Sequence, residues 1–125
     1  MRILIVSHGF PPHAQGGAEI YAHDHALALA RAGEEVFVLT RDSDADRAEY
    51  SVRREQRDGL TIAWINNTFA DVRSFAETYC NPRLGHVAST LIADWSPSPD
   101  VAHVHHLTCL STTAISSCPT LGIPP

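Results

Sequence analysis

Residues 3–40 read ILIVSHGFPPHAQGGAEIYAHDHALALARAGEEVFVLT, and this stretch decides the fold. Ile3 to Val6 is a short apolar run without polar alternation, as expected of a strand buried on both faces. Glu35 to Thr40 repeats the pattern after a helical stretch. Two buried strands joined by a helix form a βαβ unit, almost always right-handed. The loop between Ser7 and Gly17 then lies beyond the carboxyl end of the first strand, where open α/β sheets bind their ligands. Its two prolines, Pro11 and Pro12, hold the loop open and limit the entropy lost on binding. Gly16 and Gly17 carry no Cβ, so their backbone is free to adopt positive φ and to approach a ligand closely. The helix that follows offers free N–H groups and a positive dipole end, which suit a phosphate. The pair fits neither GxGxxG nor GxxxxGK[ST], and a plain connection whose glycines only permit the turn reads equally well.

Working outward, Asp58-Gly59 sits between two extended segments and reads as a hairpin or a strand change. Asn81-Pro82 supplies a helix cap and a proline at the first helical position. Leu84, Val87, Ala88, Leu91, Ile92 and Trp95 fall at i, i+3, i+4, i+7, i+8 and i+11, an apolar stripe. "SPSPD" ends that helix, and "VAHVHH" reads as another inner strand. The whole is an α/β chain with a Rossmann-like open, mostly parallel sheet flanked by helices. In the first helix, Ala18, Tyr21, Ala22, His25, Leu29 and Ala32 are expected on the sheet-facing stripe, with Ile20 and Leu27 opposite. The tail, STTAISSCPTLGIPP, reads as a helix leading through Gly122 to a strand that does not follow, with Pro119 breaking the helix early. A fragment, or a divergent end, is expected.

The 125 residues allow one domain at most, and the net charge of -5 argues against a nucleic-acid or anionic-membrane surface. Cys80, Cys109 and Cys118 are odd in number and form no CxxC pair, so a disulfide framework or thiolate zinc site is not expected. A reducing cytoplasm is the simpler setting. The amino terminus lacks the apolar length of a signal peptide or membrane span.

Eight histidines are many for this length. His103 and His105 share one face of the last strand while His106 points to the other. His103 reads as a satisfied core residue. His105, nearer the edge of the sheet, is the better candidate for a base or a contact to a hydroxyl-rich substrate. HxH is also half of a metal site, but no carboxylate partner is evident. His8 and His13 either line the same cleft or are solvated. The acidic run RDSDADRAEY reads as a solvated loop, with a ribose contact as the rival reading. Arg53, Arg54 and Arg57 read as a charged hairpin surface, with an acceptor phosphate as the rival.

The segment MRILIVSHGFPPHAQGGAEIYAHDHALALARAGEEVFVLTR resembles the amino-terminal start of family 4 retaining glycosyltransferases, and DVAHVHHLTCLSTTAI resembles a later strand-loop-helix of the same domain. The resemblance implies a GT-B architecture, two Rossmann-like domains facing a cleft. Residues 1–125 would be part of the amino-terminal, acceptor-side domain, with the carboxy-terminal donor-binding domain absent. It implies a hexosyltransferase type of activity, in which a sugar moves from a nucleotide-sugar donor to a glycan, lipid or small acceptor. The fragment alone is expected to be inactive. Gly16 and Gly17 would contact the donor diphosphate, and His105 would lie beside the transferred sugar as the candidate catalytic residue. No metal or cofactor is implied; the nucleotide-sugar is a co-substrate. The expected partners are that donor, the acceptor and the missing domain, with peripheral membrane association allowed for the full-length protein. Two alternatives stand beside this. One is a metal-dependent hydrolase using His103, His105 and His106; the other is a non-catalytic nucleotide- or sugar-binding module.

Overall fold

The computed structural model describes residues 1–106, 110–112, 122 and 124. Strand β1 (Arg2–Val6) leads through helix α1 (Gly17–Arg31) to strand β2 (Glu35–Asp42). Strands β3 (Val52–Arg57) and β4 (Leu60–Asn66) follow, then a 3-10 turn (Phe75–Thr78), helix α2 (Pro82–Asp94) and strand β5 (Val101–Val104). The five strands form one sheet in the order β3-β4-β2-β1-β5. Neighbours are parallel except the edge pair β3 and β4. The expected mostly parallel sheet is therefore present. The β3–β4 link is the expected hairpin, and Asp58 (φ 53°) and Gly59 (φ 80°) both take the left-handed conformation that a tight two-residue turn demands.

The inner strands carry apolar runs because each faces two cores. Leu4, Val6, Phe37, Leu39, Ala63 and Ile65 pack with Leu84, Ala88, Leu91, Ile92 and Trp95 of the α2 segment. The alternate residues Ile3, Ile5, Val36, Val38, Ile62 and Trp64 pack with Ala22 and Ala26 of α1. A period-two strand between two helical layers can leave neither face polar. Helix α2 starts as its sequence dictates: the Asn81 side chain accepts from Leu84 N at 3.2 Å, with Pro82 in the first turn.

Three expectations need correction. The buried residues of α1 are Ala22 and Ala26, while Ala18 is exposed and Tyr21 is 64% exposed. Leu27, placed opposite, packs against the core instead. Small side chains mark a buried face poorly, and the Tyr21–His25 side turns out to face β5. The acidic run is not simply solvated. Asp42 ends β2 almost fully buried and pairs with Arg53 at 3.6 Å, Asp44 is bonded to Asn66 at the end of β4, and Glu49 to Thr68 just beyond it. Buried Asn66 draws them in, since its amide must find acceptors, which are the carbonyls of Asp44, Arg47 and Ala48. Arg53 and Arg57 pair with Glu55 at 2.9 and 3.1 Å, which leaves Arg54 as the exposed member of the hairpin arginines. The tail predicted as a helix leading through Gly122 lies mostly outside the described residues, as do Cys109 and Cys118; Cys80 is free and exposed. Among the described residues no helix is long and apolar enough to cross a membrane.

Candidate functional site

Strand β1 connects to β2 on one side, while β5 reaches its other side through the crossover containing α2. That reversal leaves a crevice beyond the carboxyl ends of β1 and β5, the usual ligand position in open α/β sheets. The first loop, the start of α1 and the histidines after β5 meet there.

The loop is pinned at its middle. Phe10 is fully buried, edge-on to Trp64 and His23, and Arg57 Nη2 donates to the Pro11 carbonyl at 2.6 Å. His13 lies against Trp64 (5.1 Å) beside Arg53, so it belongs to the β4 side rather than to the histidine cluster. Beyond the pinned section the chain is exposed from Gln15 to Ala18. Gly16 caps α1 in an extended conformation (φ -71°, ψ 169°) with no side-chain hydrogen bond.

The two glycines are not equivalent. A Cβ on Gly16 would meet Glu19 Oε2 at 2.4 Å, because the Glu19 carboxylate lies against it. A Cβ on Gly17 would meet nothing within 4 Å. Neither takes positive φ, contrary to one use expected of them, since the turn into α1 is made in the extended region. The open backbone is that of Gly17 and the residues after it, whose first-turn N–H groups have no intrahelical acceptor.

His8, on the first residues after β1, bonds Glu19 Oε1 at 2.8 Å and packs its ring on His106 at 4.4 Å. Burial pushes the His8 imidazole below its usual pKa, and the Glu19 carboxylate offsets part of that shift; His106 and Arg41 lower it further.

The other cluster is larger than expected. His105 lies one residue past β5, held there by its N–H donating to the Val6 carbonyl at 2.8 Å. Its Nε2 is 3.2 Å from His25 Nδ1, and its ring stacks on His103 with centroids 4.8 Å apart and 13° between planes. The His25 ring stands edge-on to His103 at 4.7 Å, and Tyr21, one turn from Gly17 on α1, meets His105 at 5.5 Å. Burial first, and the neighbouring imidazoles second, lower the pKa of His25 and of His105, which favours their neutral forms. His103 is exposed, not the core residue its strand position suggested, because β5 is an edge strand and among the described residues no helix or strand covers that position. His106 points away from this group to His8, as strand alternation requires. Sequence reasoning did not find His25. Its spacing from Tyr21, one helical turn, was the available signal, but that stripe had been assigned to the sheet.

A cavity of about 600 Å³ lies elsewhere on the fold, between the segment after β4 and the start of α2. Tyr50, Arg73, Glu77, Cys80 and Asn81 are among its lining residues, and Arg83 there pairs with Asp71 at 2.9 Å. Its mixed charges suit a neutral, hydroxyl-rich molecule better than a phosphate.

The sequence profile of Glycosyltransferase Family 4 matches residues 15–124. The glycogen synthase of Mycobacterium tuberculosis, in strains CDC 1551 / Oshkosh and ATCC 25618 / H37Rv, is 32% identical over 114 residues. That match covers 84% of this chain and 28% of the relative, so the chain spans little more than a quarter of the curated proteins it resembles. Among solved structures, the sucrose-phosphate synthase of Thermosynechococcus elongatus superimposes with a TM-score of 0.54 at 22% identity, over 82% of this chain and 26% of that one. That likeness concerns the fold alone, a Rossmann-like layer of a GT-B protein.

Proposed function

The chain belongs to glycosyltransferase family 4, and we propose that it is the acceptor-side domain of an enzyme transferring a sugar from a nucleotide-sugar to a glycan, lipid or small acceptor. A second, donor-binding domain outside this chain would face the crevice beyond β1 and β5. The observation that carries the reading is the open backbone at Gly17, at the amino end of a helix and at the switch point of the sheet.

In this reading the donor diphosphate approaches Gly17, and first-turn N–H groups stabilise the charge that grows on it as the sugar–oxygen bond breaks. Gly16 contributes the close packing of Glu19 rather than direct access. Glu19 is itself an anion at this helix end, and its pairing with His8 draws the carboxylate aside. His105, kept neutral by its surroundings, positions or polarises groups near the anomeric carbon. The new bond forms to an acceptor hydroxyl. We assign the acceptor to the crevice side of this domain, and the enzyme to the cytoplasm, where nucleotide-sugars are its co-substrate and no further cofactor is required.

The test is nucleotide-sugar turnover by the full-length protein with Gly17→Val. Blocking the approach to the N–H groups is expected to lower kcat on the order of 10²-fold, the scale seen when one such donor is lost. Undiminished transfer would remove the role assigned to Gly17.

A further inference from the structure

Three imidazoles meet at the end of β5, two from the strand end and one from α1. We propose that His25, His103 and His105 form a binding site for a divalent first-row transition metal ion, zinc above all, with one coordination position open to solvent.

The argument is geometric. One ring nitrogen from each of the three lies within 4.8 Å of the others. Two nitrogens bound to one zinc at tetrahedral angles are about 3.3 Å apart, from Zn–N distances of about 2.0–2.1 Å. His25 Nδ1 and His105 Nε2 already stand 3.2 Å apart. The third ligand, His103, needs only a small ring rotation, and its exposure leaves room for one. Its ring is nearly parallel to that of His105, so residues two apart on an extended chain present both imidazoles to the same side.

The backbone is held on both sides of the site. His105 N is bonded to Val6 O at 2.8 Å, and His25 lies within α1, one residue before the buried Ala26. A cation placed between the rings would exchange one shared N–H···N hydrogen bond for three coordination bonds. Imidazole donors without thiolate or carboxylate suit zinc, copper, nickel or iron and disfavour magnesium and calcium, which require oxygen. Three protein ligands plus an open fourth position leave space for water or an oxygen of a bound molecule. The donor set does not depend on the role assigned to Gly17, and because the ion takes a ring nitrogen of His105, metal and sugar compete for that imidazole, so the ion is no part of the transfer reaction. It differs from the His103, His105 and His106 set expected from sequence, because His106 packs on His8.

The experiment is a titration of the full chain, freed of metal by chelator, with Co(II) as a visible-absorbing probe, followed by displacement with Zn(II). We expect one equivalent of Co(II) to give the strong visible bands of a four-coordinate ion, and zinc to bleach them. His25→Ala and His103→Ala should each weaken binding beyond the ~10–100-fold typical of outer-shell changes. His86→Ala, on exposed α2 surface, should leave it intact. Circular dichroism on each variant separates loss of the site from loss of the fold, and His103, being exposed, is the safer of the two substitutions. Absence of saturable bands would overturn the proposal. So would full binding in His103→Ala, or loss in His106→Ala with retention in His25→Ala, which would move the ion to the His8–Glu19–His106 group.

Discussion

Two adjacent glycines offer a test with opposite signs. Gly17 is the first residue of α1, outside the left-handed region, and a methyl group there would touch nothing within 4 Å. Gly17→Ala therefore costs no contact in the folded chain while narrowing the unfolded ensemble. The expected gain is about 0.4–1 kcal/mol, or about 1–4 °C in Tm for a domain of this size. Gly16→Ala behaves differently. The new methyl would sit 2.4 Å from Glu19 Oε2 and 3.2 Å from its Cδ, so the carboxylate must swing away. That breaks the largely buried pair with His8 and puts a poor capping residue at the helix start, where alanine ranks well below glycine. Tm is expected to fall by a few degrees. Differential scanning calorimetry of the two variants against the parent decides the matter. If both shift Tm in the same direction, or Gly17→Ala lowers it, the claim that only Gly17 presents open backbone is wrong, and the donor reading built on it loses its support.

Other outcomes follow from the same packing. Asn81→Ala removes the α2 cap and its bond to Tyr50 Oη, and should cost about 0.5–2 kcal/mol in urea denaturation. Ile62→Ala empties a fully buried site between β4 and α1 and should cost about 2–5 kcal/mol, a large share of the total stability of such a domain, while leaving the denaturant slope unchanged. His8 has a folded pKa below its ordinary value, mainly through burial, with Glu19 opposing and His106 and Arg41 assisting. The unfolded chain then binds protons more readily, so this contribution to stability is complete above about pH 6.5 and is lost as pH falls through the lower folded value. Denaturation midpoints at pH 7 and pH 5 should differ less in His8→Gln than in the parent; an equal or larger difference would contradict the assignment.

Much of the fold follows from local rules. The unbroken apolar runs at Ile3–Val6 and Val36–Leu39 have only one stable setting, a strand covered on both faces, and the helix between them compels a parallel pair. Asp58-Gly59 and Asn81-Pro82 mark their turn and cap because left-handed φ and a free helix N–H each admit few residue types. Such signals act within a few residues, so sequence alone determined element order, the mostly parallel sheet and the edge on which the candidate site residues fall.

What lay beyond it was every relation between distant residues. That His25 meets His103 and His105, that Glu19 fills the space beside Gly16 while Gly17 stays open, and that His106 turns to His8 all depend on how α1 sits across β1 and β5. Alanine-rich helices carry little bulk to set that rotation from sequence, and Ala22 and Ala26 became the buried pair only once the strands beneath them had supplied the shape. Packing is a property of two surfaces together. A single surface, written as a row of residues, leaves the partner of each side chain undecided.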